Sequence, residues 1–260
     1  MLAVFPAALV AHAQQKATPP QLQERGGAAA PHVEQESPLN DYQRSQMVEW
    51  ARDFADLHRY RASNQELGEP VSGERRVVFF GDSITDKWTL NQYFPDKHYI
   101  NRGISGQTTS QMLLRFRQDV INLHPDVVVI LAGTNDIAGN TGPISIEDIE
   151  GNLTSMAELA RAHDIPLVLS SVTPVNNYTP ASERFFADRP PSEILRLNEW
   201  MKAYCANTNC YYLDYFDSMV DGSGLLKRGL SEDGLHPNDA GYKIMAPLAE
   251  SAIDKTMASR

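Results

Sequence analysis

Short apolar runs alternate with amphipathic stripes along the chain from Arg76 to the C-terminus. Runs of three to five mostly apolar residues predict strands that are covered on both faces of a sheet. Apolar residues that recur at three- and four-residue spacing between these runs predict helices with one buried face. The predicted strands are Val77–Phe80, Tyr99–Asn101, Val127–Leu131, Leu167–Ser171 and Tyr211–Leu213.

Several of the predicted helices carry recognisable start signals, because Ser, Thr and Asn side chains satisfy the free N–H groups of a first turn. The expected caps are Thr108 or Thr109, Ser145 with Asp148 as its capping-box partner, and Asn238. The last of these opens a closing helix over residues 239–257, and residues 194–206 are also predicted to be helical. Residues 173–191 contain several prolines and are predicted to form a long loop.

Strands and helices therefore alternate through the main part of the chain. We expect the α/β fold class, a three-layer α/β/α sandwich with a five-stranded, mostly parallel, flavodoxin-like sheet and right-handed crossovers. In such sheets the ligand site lies outside the carboxyl ends of the strands. Functional side chains are therefore expected in the segments that follow the strands.

The chain begins with a pattern that is typical of exported proteins. Residues 1–13 are mostly apolar and end in the small-x-small pattern Ala11-His12-Ala13, which predicts the remnant of a signal peptide that is cleaved after Ala13. Residues 14–40 are rich in Pro, Gln, Ala and Gly and predict a flexible linker. The expected location is secreted or periplasmic.

Residues 41–75 are predicted to be an N-terminal helical extension, ahead of the main domain over residues 76–260. One apolar stripe runs along the extension and should clamp it onto the outside of the main domain. The stripe consists of Met47, Trp50, Phe54 and Leu57.

Composition excludes several classes of partner and of site. The formal net charge is −10 and no run of Lys and Arg stands out, so we expect no nucleic-acid partner. Beyond the N-terminus no apolar run is long enough to predict an integral membrane segment. No His or Cys spacing is typical of a metal site, and we expect neither metal nor cofactor.

Cys205 and Cys210 can form a disulfide or remain two thiols, because their separation in the sequence does not fix the geometry of a bond. The sequence leaves the oligomeric state open as well.

Polar clusters lie where the topology predicts a site. They are Gly81-Asp82-Ser83-Ile84-Thr85, Asn101-Arg102-Gly103-Ile104-Ser105-Gly106-Gln107-Thr108, Gly133-Thr134-Asn135-Asp136, and Asp233-Gly234-Leu235-His236-Pro237. The first three follow the first three strands, and the fourth precedes the closing helix. The glycine spacing does not complete a dinucleotide-binding fingerprint.

These clusters contain the groups that acyl transfer needs. Ser83 offers a hydroxyl nucleophile, and His236 offers a general base. Asp233 lies three residues before His236, so in a tight turn its carboxylate can reach Nδ1 and leave Nε2 facing the serine. We expect the carboxylate to raise the pKa of His236 by stabilising the imidazolium.

Donors for a developing oxyanion are also available. Ser83 is expected at a helix start, where backbone N–H groups are free. The N–H of Gly106 and the side-chain amide of Asn135 can donate to the same oxygen. For Asp82 and Asp136, structural hydrogen bonding is favoured over direct chemistry.

Taken together, the four clusters resemble the blocks of the SGNH, or GDSL-type, esterases and lipases. GDSIT is similar to the first block, ISGQT to the second, GTND to the third and DGLHPN to the last. The resemblance implies the catalytic residues Ser83, Asp233 and His236, and the oxyanion donors Ser83, Gly106 and Asn135. Ile follows the serine where the GDSL name has Leu, a variant that resembles the lysophospholipase-like and carbohydrate-esterase branches.

The resemblance implies a serine ester hydrolase that removes small acyl groups, acetyl or another short chain, from a small-molecule or carbohydrate ester. Two alternatives stay open. A lysophospholipase or thioesterase would share the mechanism, whereas a glycan-binding protein without turnover would use the same cleft. The intact set of candidate catalytic residues argues against the second alternative.

Overall fold

The computed structural model describes residues 41–259, so the signal-peptide and linker predictions for residues 1–13 and 14–40 lie outside the described residues. The strands are β1 (Val77–Gly81), β2 (Tyr99–Gly103), β3 (Val127–Leu131), β4 (Leu167–Ser170) and β5 (Cys210–Leu213). The α-helices are α1 (Asp41–Asp53), α2 (Arg61–Glu66), α3 (Ser83–Asp86), α4 (Leu90–Tyr93), α5 (Thr109–Asp119), α6 (Thr134–Ile137), α7 (Ile146–Ala162), α8 (Pro180–Ala187), α9 (Pro191–Asn207), α10 (Phe216–Met219) and α11 (Asp239–Ala258).

The five strands form one parallel sheet in the order β2-β1-β3-β4-β5. Val77 of β1 lies opposite Tyr99 on one side and Val127 on the other. This is the flavodoxin-like order, in which the chain reverses direction across the sheet between β1 and β3. The predicted sheet is confirmed, and the carboxyl ends of its strands lie together at one edge.

Each face of the sheet packs on its own apolar layer. Val78 and Phe80 of β1 join the layer formed with α5, α7 and α9, and the ring of Phe80 lies 5.5 Å from that of Phe116. Phe79 points to the opposite layer, formed with α11, where its ring lies 5.5 Å from that of Trp88. Alternate residues of a strand face opposite sides of a sheet, so a strand in which nearly every residue is apolar must be covered on both faces. The three-layer α/β/α sandwich is confirmed.

The predicted helix caps are also confirmed. Ser145 Oγ accepts from the Asp148 N–H at 3.1 Å, and Asn238 Oδ1 accepts from the Gly241 N–H at 3.1 Å. Thr108 is the N-cap of α5. These side chains replace the missing acceptors of the first helical turns.

The loop predicted over residues 173–191 is wrong in part, because it contains α8. Thr179 caps this helix by accepting from the Ser182 N–H at 3.2 Å, and Pro180 occupies the first position. Proline is well suited there, since its missing N–H would have no helical partner. The prolines of this segment therefore begin helices α8 and α9.

The predicted packing of the N-terminal stripe is also wrong in part. Helix α1 ends at Asp53, so Phe54 and Leu57 lie beyond it and the stripe is broken. Met47 is 52% exposed and Phe54 is 37% exposed. The extension is held to the main domain in part by glutamine side chains that bind its backbone carbonyls, a contact that apolar periodicity does not report.

Cys205 and Cys210 form a disulfide that joins the end of α9 to the start of β5. Of the two states that their spacing left open, the structure has the bonded one. Among residues 41–259 no helix combines the length and the apolar character that crossing a membrane requires.

Candidate active site

The carboxyl end of β1 turns sharply into α3, and Ser83 is the first residue of that helix. Gly81 allows the turn, because a Cβ there would overlap the Thr85 side chain and lie 2.7 Å from the Leu131 carbonyl oxygen. Asp82 caps the helix by accepting from the Ile84 N–H at 2.9 Å. The serine is thus held at a helix start, as the sequence predicted.

Ser83, His236 and Asp233 form a continuous chain of hydrogen bonds. Ser83 Oγ lies 2.9 Å from His236 Nε2, and His236 Nδ1 lies 2.6 Å from Asp233 Oδ2. A carboxylate can only accept, so Nδ1 carries the proton in the neutral ring and Nε2 presents its lone pair to the serine. This is the arrangement in which an imidazole can take a proton from a hydroxyl.

The turn before α11 fixes the carboxylate. Asp233 Oδ1 accepts from the N–H groups of Leu235 at 3.0 Å and His236 at 2.8 Å, which leaves Oδ2 for the imidazole. Gly234 has a φ of +80°, and a Cβ on it would lie 2.6 Å from the Asn176 carbonyl oxygen. Glycine is therefore required by both the backbone conformation and the close packing of the neighbouring segment.

Burial and hydrogen bonding set the ionisation of this pair. Burial alone would raise the pKa of Asp233, but the hydrogen bonds from His236 and the backbone outweigh it and lower that pKa to about 2. Burial lowers the pKa of His236 below its ordinary 6.5, although Asp233 acts in the opposite direction. Asp233 thus raises this pKa, as expected, but desolvation of the ring is the larger effect and the net shift is downward.

The glycine loop, Gly103–Thr108, follows β2 and lies beside the end of β1. Its Ile104 N–H donates to the Gly81 carbonyl at 3.0 Å. Gly106 has a φ of +82°, and its carbonyl accepts from the Asn140 side chain at 3.0 Å. Within residues 41–259 the N–H groups of Gly106 and Ser83 have no hydrogen-bond acceptor, so both remain available to a ligand.

Asn135 lies beside the glycine loop, in the first turn of α6. It is only 3% exposed, and its Nδ2 donates to the Gln107 carbonyl at 3.0 Å. An amide nitrogen has two protons, so one remains for another acceptor. The structure thus brings Asn135 next to the Gln107–Thr108 peptide.

Comparison with known proteins agrees with this geometry. The model of the GDSL-like Lipase/Acylhydrolase family matches residues 79–244, more than half of the chain. The chain belongs to the GDSL-like Lipase/Acylhydrolase family. Membership places it among the hydrolases, and the matched range includes all the residues of the hydrogen-bonded chain.

Individual proteins are similar to this chain over different shares of their length. The acetylxylan esterase of Geobacillus stearothermophilus is 25% identical over 210 residues, which cover 67% of this chain and 91% of that protein. The uncharacterized lipoprotein YqeF of Bacillus subtilis is 32% identical over 122 residues, 40% of this chain, and the match spans only 50% of that protein. The crystal structure of a GDSL-like lipase from Bacteroides thetaiotaomicron superimposes with a TM-score of 0.72 at 44% identity and covers 78% of this chain and 98% of the other.

One residue that the sequence did not single out lies at the centre of this GDSL-like site. Arg189, between α8 and α9, is 3% exposed. Its Nη2 donates to Asn135 Oδ1 at 3.1 Å, and its Nε donates to Thr134 Oγ1 at 3.0 Å. Since a guanidinium has no acceptor, it can only face the amide oxygen, so Asn135 must turn its nitrogen toward Gln107 and the free side of the site.

Arg189 also connects the amide to the imidazole through Phe185. The guanidinium lies 5.6 Å from the Phe185 ring centre, and that ring meets His236 edge-on with centres 6.0 Å apart. The sequence gives little indication that Arg189 belongs to the site, because an Arg followed by two prolines is typical of a surface loop. The capping pattern Thr179-Pro180-x-Ser182 was the one sequence feature that could have shown the helix on which both side chains depend.

Asp82 and Asp136 have the structural contacts that the sequence favoured. Asp136 accepts from both the backbone and the side chain of Thr109, which ties α6 to the start of α5. Asp82 caps Ile84, but its Oδ2 has no hydrogen-bond partner among the described residues. Burial raises the pKa of Asp82 to about 7.

One group of side chains has the composition of a metal site. Asp53, Asp56 and His58 place one ligand atom each within 4.8 Å of one another. All three belong to the N-terminal extension, and His58 is already close to both carboxylates, at 3.0 and 3.3 Å. Contacts among these partly exposed groups account for the cluster, and we assign it no part in the chemistry at Ser83.

Proposed function

We propose that this protein hydrolyses small-acyl O-esters, acetyl or another short chain, through an acyl-enzyme on Ser83. The observation that carries the proposal is the hydrogen-bonded chain from Ser83 Oγ through His236 to Asp233. A serine hydroxyl is a weak nucleophile, and an imidazole at 2.9 Å with its other nitrogen on a carboxylate is the arrangement that activates it.

In the proposed reaction Ser83 Oγ attacks the acyl carbon while its proton moves to His236 Nε2. The bond between the acyl carbon and the alcohol oxygen then breaks, and the imidazolium returns the proton to that oxygen. Water attacks the acyl-enzyme with His236 again as the base, and the second tetrahedral intermediate collapses to release the acid and restore the serine. Asp233 keeps the ring oriented and stabilises its charged form.

The oxyanion formed in each addition needs donors that are already in place. The free N–H groups of Ser83 and Gly106 and the remaining amide proton of Asn135 are the proposed set. Arg189 supports this role, because it holds the amide oxygen and so turns the nitrogen toward the site.

An O-acetylated carbohydrate is the proposed substrate, and an exported, secreted or periplasmic location is proposed with it. The similarity to an acetylxylan esterase over 91% of that protein supports the substrate. The lipoprotein name of YqeF supports export, as does the disulfide between Cys205 and Cys210, since disulfides persist mainly in oxidising compartments.

Hydrolysis of a substrate panel tests the proposal. The panel contains p-nitrophenyl esters of increasing acyl length, acetylated xylan and lysophosphatidylcholine, each assayed with wild type, Ser83→Ala and Ser155→Ala. Ser155 is a partly exposed serine of α7 that donates to the Gly151 carbonyl, so it controls for loss of a hydroxyl elsewhere. We expect the shortest esters and acetylated xylan to be cleaved by wild type and Ser155→Ala, and not by Ser83→Ala.

Three results would change the conclusion. Preference for long acyl chains or for lysophosphatidylcholine would favour a lysophospholipase. No turnover of any ester, with retained binding of the glycan, would favour a binding protein. Full activity in Ser83→Ala would exclude the proposed nucleophile.

A further inference from the structure

The segment Phe54–Asn64, which we call the strap, lies outside the residues that the family model matches. It runs from the end of α1 into α2 and contacts the glycine loop at both ends of that loop. Tyr60 Oη donates to the carbonyl of Gly103, where the loop begins. Gln107, near the end of the loop, donates from Nε2 to the carbonyl of Ala55 at 2.8 Å.

Gln107 connects the strap to the proposed oxyanion donors. Its backbone carbonyl accepts from Asn135 Nδ2, and its N–H belongs to the same peptide group as the carbonyl of Gly106. Its side-chain oxygen accepts from Arg115 Nε at 2.5 Å. Gln107 is 4% exposed and Ala55 is 2% exposed, so these hydrogen bonds form away from water, where an unmade bond is costly.

The glycine loop has few hydrogen bonds of its own. Inside it, the Gln107 N–H donates to the Ile104 carbonyl at 3.3 Å, a long contact. The direction of the Gly106 N–H therefore depends on contacts from outside the loop, which include Asn140 on the Gly106 carbonyl, Asp86 on Ser105 and the contacts that hold the two ends of the loop. The strap holds both of them, through Tyr60 at one end and Gln107 at the other.

The strap has further contacts with Arg102, with Asp86 and with both ends of α5. Gln118 Nε2 donates to the carbonyl of Leu57 at 2.7 Å, and Asn64 Nδ2 donates to Asp119 Oδ1 at 2.7 Å. The bond from Gln118 is of the same type as the bond from Gln107, a glutamine amide on a strap carbonyl. It reaches the strap from a residue near the end of α5 rather than from the glycine loop.

We propose that the strap is a positioning element of the active site, which orients the Gly106 N–H and the Asn135 amide by fixing Gln107 and Gly103. This inference rests on the proposed function, because it assigns the strap to the oxyanion side of that same site. Preorganised donors accelerate a reaction only when they already point at the developing charge. A loosened strap should therefore lower kcat more than it raises KM.

The test compares Gln107→Met with Gln118→Met, and adds Tyr60→Phe as a change made on the strap itself. Each glutamine variant keeps the side-chain length and removes one amide from a strap carbonyl, and Gln107→Met also removes the acceptor of Arg115 Nε, which Tyr60→Phe leaves in place. We expect Gln107→Met to lower kcat for a short p-nitrophenyl ester about tenfold with KM within about twofold of wild type. Tyr60→Phe should show a smaller loss of the same kind, and Gln118→Met should keep the wild-type kcat although its Tm falls.

Equal losses of kcat in Gln107→Met and Gln118→Met would overturn the proposal, since the strap would then matter only for stability. Wild-type kcat in both Gln107→Met and Tyr60→Phe would also overturn it. If Gln107→Met does not fold, Tyr60→Phe decides. Covalent labelling of Ser83 by a fluorophosphonate in the wild type reports on the proposed function separately, so a labelled and active wild type with insensitive variants removes this inference alone.

Discussion

The two sides of the candidate site are built in different ways. Asp233 and His236 lie three residues apart in one turn, and the backbone of that turn already supports the contact between their side chains. On the oxyanion side, Asn135, Gln107 and Arg189 come from three separate segments and meet only in the folded sheet.

This difference predicts that the two sides of the site respond differently to substitutions in the rest of the protein. A local turn keeps its geometry as long as its own hydrogen bonds form, so changes elsewhere should affect it little. An assembled cluster depends on the packing of every element that contributes to it, and several positions remote from the reacting atoms should therefore influence it. The predictions below separate the two sides, from the largest expected effect to the smallest.

Replacing the orienting carboxylate should have the largest effect. Asp233→Ala is expected to lower kcat by roughly 10⁴-fold, because the imidazole loses both its orientation and the partner of its charged form. In wild type the acidic limb of the rate profile should lie below pH 6.5, since burial lowers the pKa of His236 and only the neutral ring accepts a proton.

Asp233 acts to raise the His236 pKa, so its removal should move that limb to still lower pH. The measurement is kcat/KM as a function of pH for both proteins. An unchanged limb together with undiminished kcat would assign the orienting role to another group, and EDTA should leave the profile of both proteins unaffected.

Removing the side-chain amide of Asn135 should have the next largest effect on kcat. Asn135→Ala is expected to lower kcat by about 10²–10³-fold with little change in KM, because the donor acts on charge that develops only in the transition state. Steady-state kinetics with a short ester measures both constants. A loss confined to KM would show ground-state binding instead, and a collapse of Tm would show a structural role for this side chain.

Weakening the support of that amide should have a smaller effect. Arg189→Lys keeps the charge but has no planar fork to bind both Thr134 Oγ1 and Asn135 Oδ1, so we expect about a tenfold loss of kcat. Arg196→Lys is the matched control, because Arg196 forms an exposed ion pair with Glu147, and such pairs contribute little. Equal kinetics for the two variants would remove Arg189 from the positioning of Asn135.

The smallest effect on kcat is expected for Asp82→Asn, which keeps an acceptor for Ile84 but cannot ionise. Burial raises the pKa of Asp82 to about 7 from an ordinary 3.8, so the folded protein holds a proton that the unfolded chain releases between those values. Stability from this group is therefore present at low pH and is lost as the pH rises through about 7.

Thermal unfolding of wild type and Asp82→Asn measures how this contribution to stability changes with pH. The Tm of Asp82→Asn relative to wild type should be higher at about pH 7.5 than at about pH 4.5, by on the order of 5 °C. Parallel pH dependence in the two proteins would show that Asp82 does not titrate in this range.

The same contrast explains what the sequence could predict. The strands, the caps at Ser145 and Asn238 and the turn with Asp233 and His236 are local patterns, and each was read correctly from residues close together in the chain. Arg189 was missed because its function depends on Asn135, a residue 54 positions away. No local pattern reports such a partner.

Two further outcomes that the sequence did not predict have the same cause. The pKa of His236 depends on how deeply its ring is buried, and burial is a property of the assembled fold. The N-terminal stripe predicted apolar packing, whereas glutamine side chains of the main domain bind the backbone of that segment. Both outcomes are set by tertiary contacts, which can outweigh a local preference and leave no signal in the local sequence pattern.

Mass spectrometry of the fluorophosphonate-treated protein tests the central claim most directly, because it locates the nucleophile without reference to the natural substrate. Wild type is digested and sequenced after inactivation, with Ser155→Ala and His236→Ala treated in parallel. We predict a single adduct on Ser83 in wild type and Ser155→Ala, formed in step with loss of esterase activity, and no comparable labelling in His236→Ala. An adduct on another residue, or full esterase activity with Ser83 unmodified, would contradict the account.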